Sequence, residues 1–387
     1  MTMRQGLFGL FLAALAMSGA QAGENDLLVG LDEKTFFEAD GIRFGPGGKD
    51  SLLVLDIADR LHPRVRGSLP LTNSVLGPPT NLGITPNGRW GLLANSVLTK
   101  ESDGKWSTTP DDKLYVIDLA ADPPKLADTV TIGKQPSGLS ISHDGKLALI
   151  ANRAGKSVSV LSLEGGTVRA IDEVPLGDEV AAVLIMPDGK HAFAAKNAVN
   201  KVAVLSIEGK KVTYDKAFDI PVAGQAVYNL DTTPDGHYVL AANMGVGYGN
   251  ASTISVIDAA ANPPRAVYHV SVGDGPEGLA VSPDGKWAVT ALVFGSAAKH
   301  SDWGYHRDGR VVLLDLSKPA EPRIVADVPA GGVPEGLAFS PDSQFLYVGN
   351  YVDRNVQVYR IDNGNLVDTG AKLTLPGQPA SMRGPAR

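Results

Sequence analysis

Residues Ser271–Leu316 read SVGDGPEGLAVSPDGKWAVTALV, then an irregular insert, then GRVVLLDL. Three runs in this stretch are typical of β-strands, namely GLAVS, WAVTALV and RVVLLDL, and the preceding AVYHVSV supplies a fourth. A Pro-Asp-Gly turn joins the first two runs, because proline presets the first turn dihedral and glycine accepts the positive φ of a tight turn. If the unit recurs, it predicts one four-stranded sheet of a radial repeat.

The unit recurs along the chain, and we name its strands A to D. The A–B turn occurs six times, as TPNG at Thr85, SHDG at Ser142, MPDG at Met186, TPDG at Thr233, SPDG at Ser282 and SPDS at Ser340. A B strand and a C strand follow each turn, and their apolar runs are rich in β-branched residues. Such runs predict strands that are buried on both faces, and the frequent turn residues argue against helices.

A seventh unit is divided between the two ends of the chain. Near the N-terminus DLLVGLD, SLLVLDI and PRVRGSLPL can serve as strands B, C and D, whereas LPGQPASMR near the C-terminus resembles a D–A junction. Joining these pieces closes a ring and leaves only short, protected sheet edges. The sequence therefore predicts an all-β fold, a seven-bladed β-propeller with two-ended blade closure, as a single domain over residues 23–387.

Two segments carry a family resemblance, GPEGLAVSPDGKWAVTALV and QPSGLSISHDGKLALIANR. Both resemble the YVTN-type β-propeller repeat, with strand-B endings such as ANS, ANR, ANM and GNY here. The resemblance covers nearly all of the chain after residue 22. It implies the fold and leaves the function open, because the repeat encodes packing and turns. The broad group includes periplasmic binding or scaffold proteins, and the related lactonase-type propellers, similar to 6-phosphogluconolactonase, hydrolyse sugar lactones.

The first 22 residues have the pattern of an export signal. Arg4 gives a positive start, Leu7 to Ala16 form a short apolar run, and Ala20-Gln21-Ala22 fits a small-residue cleavage site. We therefore expect a signal peptide over residues 1–22 and a periplasmic or secreted mature chain, the alternative being an uncut anchor. The absence of cysteine excludes disulfides and thiolate metal sites. A net charge of -7 does not favour binding to nucleic acid.

Four long connections are predicted on one face of the ring. In a propeller the D–A and B–C connections share one face and the A–B turns lie on the other. The long B–C connections are those over residues 32–50, 96–112 and 294–309, together with the glycine-rich GVGYGN of blade 5. Because loops tolerate insertions and carry sites, this face is the predicted functional face.

The loop FGSAAKHSDWGYHRDG holds the densest group of reactive side chains. His300 and His306, with nearby Asp residues, are candidates for acid–base work or for binding a divalent metal ion. Trp303 and Tyr305 are candidates for ligand contact. The alternative is a solvated loop whose aromatic residues cap the channel or touch a partner, because no tight ligand spacing such as H-x-x-x-H is present.

The D–A junctions point at the central channel. Two of them place a glutamate at the same register, Glu277 in GPEG and Glu335 in VPEG, and these two are candidate catalytic residues. A glutamate pair could share a proton or hold a cation, or each could accept hydrogen bonds from the next blade. Other candidates for ligand binding break the repeat at these junctions with polar or aromatic side chains, namely Asn81, Tyr228, Asn229 and Asp231.

Two basic residues follow the B strands of neighbouring blades. Arg153 and Lys196 would suit a carboxylate or phosphate on a ligand, whereas the recurrent asparagines at the strand-B ends are expected to make turn or cap hydrogen bonds. No G-x-S-x-G elbow, P-loop or dinucleotide fingerprint is present. The leading hypothesis is a propeller that binds a small molecule or a periplasmic protein, and the second is a lactonase-type hydrolase in which a Glu or His activates water.

Overall fold

The computed structural model describes residues 23–247 and 249–386, so the predicted signal peptide lies outside the described residues. In this part of the chain, seven antiparallel sheets surround a central channel, each built outward from an inner strand A. The predicted seven-bladed all-β propeller is confirmed. Helical structure in the same residues comprises two short 3-10 turns, at Asn197–Val199 and Lys216–Phe218. No described helix has the length and apolarity of a membrane span.

Blade 1 is closed by both ends of the chain, as predicted. Its strands, from the channel outward, are β31 (Gln378–Arg383), β1 (Asp26–Asp32), β4 (Ser51–Asp56) and β5 (Arg64–Leu69). Val29 of β1 is paired with Met382 of β31 on one side and with Leu53 of β4 on the other. The C-terminal strand is therefore hydrogen-bonded inside the ring as strand A.

Blades 2 to 4 follow in chain order. Blade 2 comprises β6 (Leu82–Ile84), β7 (Trp90–Ser102), β8 (Lys105–Asp118) and β9 (Lys125–Thr131). Blade 3 comprises β10 (Pro136–Ile141), β11 (Leu147–Asn152), β12 (Ser157–Ser162) and β13 (Arg169–Pro175). Blade 4 comprises β14 (Val183–Ile185), β15 (His191–Lys196), β16 (Lys201–Glu208), β17 (Lys211–Tyr214) and β18 (Ile220–Pro221).

Blades 5 to 7 complete the ring. Blade 5 comprises β19 (Val227–Thr232), β20 (Tyr238–Asn243), β21 (Ser252–Asp258) and β22 (Arg265–Gly273). Blade 6 comprises β23 (Pro276–Val281), β24 (Trp287–Leu292), β25 (Arg310–Asp315) and β26 (Arg323–Pro329). Blade 7 comprises β27 (Pro334–Phe339), β28 (Phe345–Asn350), β29 (Asn355–Asp362) and β30 (Asn365–Thr374). The run AVYHVSV is thus the outer strand of blade 5, and β26 is the fourth strand of blade 6.

Two of the predicted connections contain strand pairs of their own. In blade 2, β7 and β8 continue outward as a two-stranded ribbon that turns at Asp103-Gly104, where both residues have positive φ. An Asp-Gly pair favours this tight hairpin turn. In blade 1, β2 (Thr35–Glu38) and β3 (Gly41–Phe44) form a hairpin within the B–C connection. Blade 4 also departs from the repeat, because its outer strand is broken into β17 and β18.

Glycines in the P-x-G junctions let the inner strands of neighbouring blades approach closely. A Cβ on Gly138 would lie 2.8 Å from Ala182 of blade 4, and one on Gly278 would lie 2.6 Å from the carbonyl oxygen of Glu335. At Gly336 a Cβ would lie 2.4 Å from the backbone nitrogen of Met382. These distances are too short for a real Cβ contact, so glycine at this register sets the narrow bore of the ring.

Polar residues at the ends of the B strands tie each blade together. The amide of Asn152 donates to the hydroxyls of Ser157 and Ser159, at 3.0 and 2.9 Å. Asn243 makes the same bonds to Thr253 and Ser255, both at 2.9 Å. The recurrent asparagines therefore make the expected cap hydrogen bonds, which satisfy buried polar groups where strands B and C separate.

Candidate functional site

The four long connections meet above the channel on the predicted face. The backbone nitrogen of His300 in blade 6 donates to the carbonyl oxygen of Ala39 in the blade 1 hairpin, at 2.9 Å. A Cβ on Gly249 of blade 5 would lie 3.1 Å from the ring of Trp303, and one on Gly47 would lie 3.6 Å from the Thr99 hydroxyl of blade 2. The insertions of blades 5, 6, 1 and 2 thus contact one another in that order, and we call them the collar.

Three neighbouring blades place a large side chain at one register of strand A. In each of these blades, one leucine of strand A is paired with the third residue from the end of strand B. These leucines, Leu230, Leu279 and Leu337, therefore occupy equivalent positions. Two residues before these leucines stand Tyr228, Glu277 and Glu335. The sequence predicted all three as site residues, the glutamates as catalytic candidates and Tyr228 as a candidate for ligand binding. The structure shows that they belong to one ring of residues at the channel mouth.

The carboxyl groups of Glu277 and Glu335 interact in an enclosed site. Burial raises the pKa of Glu277 to about 7, against the lowering effect of the positive charge on Arg153. Burial and the charge of Glu277 raise the pKa of Glu335 well above its ordinary value. Glu335 is 2% exposed and its Oε2 has no hydrogen-bond partner among the described residues, whereas Glu277 keeps partial exposure. Burial and the repulsion between the two negative charges favour a state in which at least one of the two carboxyl groups is protonated.

Arg153 and Tyr228 form the side of the mouth next to the glutamates. The Arg153 guanidinium carbon lies 5.8 Å from the centre of the Tyr228 ring, within the range of a cation–π contact. Burial, followed by the negative charge of Glu277, raises the pKa of Tyr228, so its hydroxyl stays protonated. The Nε of Arg153 is buried, and no residue in the described part of the chain forms a hydrogen bond with it. Arg153 and Tyr228 therefore place hydrogen-bond donors next to the carboxylate acceptors of the two glutamates.

Asn229 forms the floor of the mouth. Its amide nitrogen donates to the carbonyl oxygen of Glu277 at 3.1 Å, and its amide oxygen lies 3.5 Å from the hydroxyl of Thr80 in blade 2. This contact joins blades on opposite sides of the channel. Asp231 lies further along β19, where its carboxylate accepts from the backbone nitrogens of Val281 and Thr232, at 2.7 and 2.9 Å.

Several buried polar atoms on the opposite wall lack a partner. The amide of Asn81 donates to Asn73 and to the carbonyl oxygen of Ala94, at 2.8 and 2.7 Å, but its Oδ1 has no partner within residues 23–247 and 249–386. The hydroxyls of Ser137 and Ser381 are also buried, and neither forms a hydrogen bond with another described residue. Buried polar atoms are almost always satisfied, so such a group favours an occupant with hydrogen-bonding atoms. Ser137 was missed by sequence reasoning, although QPSG places it at the register of the glutamate in GPEG.

The aromatic loop lies in the collar rather than at the channel mouth. The His300 ring packs against Tyr305 with centroids 4.2 Å apart, and the His306 ring stacks on Phe294 at 4.5 Å. Trp303 is 81% exposed. The structure thus brings the two glutamates together but places both histidines in ring contacts of their own. Among residues 23–247 and 249–386, no three His, Asp or Glu side chains are grouped so as to hold a metal ion.

Lys196 lies in an ion cluster within blade 4. Its ammonium contacts Asp178 and Asp219, both at 2.8 Å, and the hydroxyl of Tyr214 at 2.9 Å. Burial lowers the pKa of Lys196, but these hydrogen bonds outweigh it and hold the pKa above its ordinary value. Lys196 replaces the asparagine that ends strand B in most other blades. The structure therefore gives Lys196 three internal partners, whereas Arg153 faces the glutamates.

Sequence comparison gives a match to a short part of a longer relative. No protein-family profile matches the chain. A curated relative, antigen Lp49 of Leptospira interrogans, is 30% identical over 97 residues, which are 24% of this chain. The match spans 20% of the length of that relative.

Structural comparison gives a closer correspondence. A putative 6-phosphogluconolactonase from Bacteroides fragilis superposes with a TM-score of 0.70 at 17% identity, covering 92% of this chain and 96% of that one. A periplasmic gluconolactonase from Pseudomonas aeruginosa gives a TM-score of 0.66 at 19% identity, covering 92% and 98%. The chain thus has the seven-bladed arrangement of lactonase-type propellers. At such identities the similarity shows the fold alone, since one fold hosts many functions.

Proposed function

We propose that this protein binds a small polar ligand in the channel mouth, between the Glu277–Glu335 pair and Arg153. The observation that carries the proposal is the enclosed carboxyl pair beside a guanidinium with an unpartnered Nε. Groups of titratable side chains with perturbed pKa values and a few convergent polar atoms are typical of ligand sites.

The chemistry of the group favours a hydroxylated ligand with one carbonyl or carboxylate. A protonated glutamate can donate to a ligand oxygen, and an ionised one can accept from a hydroxyl. Arg153 would bind the carbonyl or carboxylate oxygen, since guanidinium groups suit oxygen acceptors in pairs. Sugar acids and their lactones have this combination of groups. We further propose that the chain acts after export, on the basis of the signal-like residues 1–22.

A second candidate function is hydrolysis of such a lactone. The observation that favours it is the pKa of Glu277, which at about 7 suits a general base at neutral pH. In this reaction the Glu277 carboxylate removes a proton from water, and the oxygen of that water adds to the lactone carbonyl carbon. The ring C–O bond then breaks, and the proton passes to the departing alkoxide. Arg153 would stabilise the negative carbonyl oxygen of the intermediate. The two lactonase-type neighbours suggest the substrate class.

Thermal unfolding tests the binding proposal. The chain from residue 23 would be heated with D-glucono-1,5-lactone and, separately, with D-gluconate, while lactone loss is followed in the same samples. A ligand that binds only the folded state raises the unfolding midpoint. We expect a rise with at least one of the two in the unmodified protein and in the surface control Glu164→Gln, and its loss in Glu277→Gln and Arg153→Gln.

The same samples decide between the two functions. Hydrolysis that falls by about 10²–10⁴-fold in Glu277→Gln, the range for removal of a general base, would establish the lactonase. A midpoint rise without hydrolysis would identify a binding protein. A midpoint that stays constant with both compounds, together with lactone loss no faster than in protein-free buffer, would overturn the assignment of a sugar-acid site.

A further inference from the structure

A second cavity opens on the face opposite the collar. Its volume is about 1040 Å³, and it lies below the Thr80–Asn229 contact, toward the A–B turns. Its inner wall consists of the strand-A residues that follow the channel-mouth register, such as Ser140, Asp231 and Ala280. A cavity of this size is at the upper end of the range of small-molecule sites. We call it the lower chamber.

Most side chains of the wall and the rim of the lower chamber are apolar, and polar residues such as Ser140, His143 and Asp231 lie among them. The wall contains Leu139, Leu184, Val281 and Phe339, which come from four different blades. The rim is formed by the prolines of the A–B turns, namely Pro86, Pro187, Pro234, Pro283 and Pro341. These prolines are the second residues of the turns quoted above, so the repeat itself builds an apolar, rigid ring around the opening.

One cationic side chain lies in the depth of this chamber. Arg383, at the end of β31, reaches from blade 1 to blade 3, where its Nη1 donates to the carbonyl oxygen of Leu139 at 2.9 Å. A guanidinium carries five N–H donors in a fixed fork, and this bond uses one of them. Arg383 keeps partial exposure to the chamber.

Two carboxylates line the same chamber as Arg383, namely Glu24, which is exposed, and Asp231. Asp231 is the nearby carboxylate that acts on Arg383, and its oxygens also accept from the backbone nitrogens of Val281 and Thr232. Burial lowers the pKa of Arg383 in spite of the charge of Asp231. An enclosed cation is stabilised by a further negative partner, and a carboxylate matches the guanidinium fork.

We propose that the lower chamber is a second ligand site, for a small molecule with an apolar body and one carboxylate that binds Arg383. The apolar wall would bury the body of the ligand, and Arg383 at the apex would set its orientation. The site is separate from the channel mouth, because Thr80 and Asn229 meet between them. It takes a different class of ligand from the hydroxylated one proposed for the mouth and does not depend on that proposal.

Calorimetric titration with octanoate and octanamide tests the proposal on the chain from residue 23. The two probes share an apolar chain and differ in the charge of the head. We expect octanoate to bind at least about tenfold more tightly than octanamide, which corresponds to a charged hydrogen bond of about 1.5–3 kcal/mol. Glu277→Gln, which alters only the channel mouth, should bind octanoate as the unmodified protein does.

Two variants locate the site. Arg383→Gln should bind octanoate and octanamide equally, because the charge is gone and the apolar wall remains. Ala280→Trp should bind neither, because Ala280 is a small, half-buried residue of the chamber wall and tryptophan would fill the space. Ala280→Trp also keeps the test valid if Arg383→Gln does not fold. Absence of octanoate binding to the unmodified protein, equal binding of the two probes, or unchanged octanoate binding in Ala280→Trp would each overturn the proposal.

Discussion

Thr80 of blade 2 and Asn229 of blade 5 meet across the propeller channel, with the hydroxyl of one 3.5 Å from the amide oxygen of the other. Both residues are buried, and the amide nitrogen of Asn229 also donates to the carbonyl oxygen of Glu277. This bridge divides the bore into the channel mouth and the lower chamber. It exists because blade 5 carries asparagine at the register where blades 3, 6 and 7 carry glycine.

Replacing Asn229 by glycine should open this bridge. Asn229→Gly removes the bond to Glu277 and the contact with Thr80, so we expect a loss of about 1–3 kcal/mol in the free energy of unfolding. Urea unfolding measures this loss. The control is Asn250→Gly, whose amide bonds to Gly247 on an exposed loop and whose replacement should change the stability by less than about 0.5 kcal/mol. Equal stabilities of the two variants would contradict the bridging role of Asn229.

We expect the free energy of unfolding to decrease as the pH rises, because of the Glu277 carboxyl group. The pKa of Glu277 is about 7 in the folded protein and 4.5 in its ordinary state, so the folded protein binds the proton more tightly than the unfolded chain. The stabilising contribution is therefore complete below pH 4.5 and is lost as the pH rises through about 7.

Urea unfolding between pH 5 and 8 checks this sign. Glu277→Gln removes the titrating group, and it also removes the charge that helps to raise the pKa of Glu335. We expect a shallower decline in this variant than in the unmodified protein, while the surface control Glu164→Gln keeps the original slope. A decline that is the same in all three proteins would show that other groups cause it.

Lys196 should contribute strongly to stability. Lys196→Met would leave Asp219, whose side chain is 1% exposed, without its cation. Breaking a buried ion pair by removing one partner costs about 3–5 kcal/mol. The matched control is Lys210→Met, because Lys210 pairs with Glu164 on the surface and an exposed pair is worth about 0–1 kcal/mol. Comparable losses in the two variants, measured by thermal or urea unfolding, would refute the structural importance of this cluster.

The close packing of inner strands predicts a steric effect at Gly278. A Cβ there would lie 2.6 Å from the backbone oxygen of Glu335, which cannot move without shifting β27. Gly278→Ala should therefore destabilise the protein by about 1–3 kcal/mol, as overpacking typically does. Gly47→Ala is the control, since its Cβ would make an ordinary contact 3.6 Å from Thr99. Differential scanning calorimetry of both variants should show a clearly lower midpoint only for Gly278→Ala.

The repeat made most of the ring predictable. Alternation of turn residues with apolar β-branched runs is a local signal, so six blades and the divided seventh could be recognised from residues alone. The equal register of Glu277 and Glu335 could be predicted for the same reason. The broken outer strand of blade 4 was not predicted, because Lys216–Phe218 carries no strong breaker and its conformation depends on neighbours.

Contacts between blades could not be predicted from the repeat. Lys196 and Arg153 occupy similar positions in the repeat. Lys196 forms ion pairs with Asp178 and Asp219. Arg153 instead lies near Tyr228 and Glu277. The sequence made His300 and His306 candidates for acid–base work, like the glutamates, but their rings pack on Tyr305 and Phe294. Which side chains meet depends on loop conformation and on how far each side chain extends into the bore.

The sequence by itself determined the strand order, the seven blades, the closure by both termini and the face on which the long connections lie. These features follow from short-range patterns, namely turn chemistry and the alternation of side chains along a strand. Only the tertiary structure decided that Glu277, Glu335, Arg153 and Tyr228 form one electrostatic group, and that Thr80 and Asn229 divide the channel. The reason is physical: burial and the fields of charges from other blades depend on three-dimensional distances, which a one-dimensional repeat does not contain.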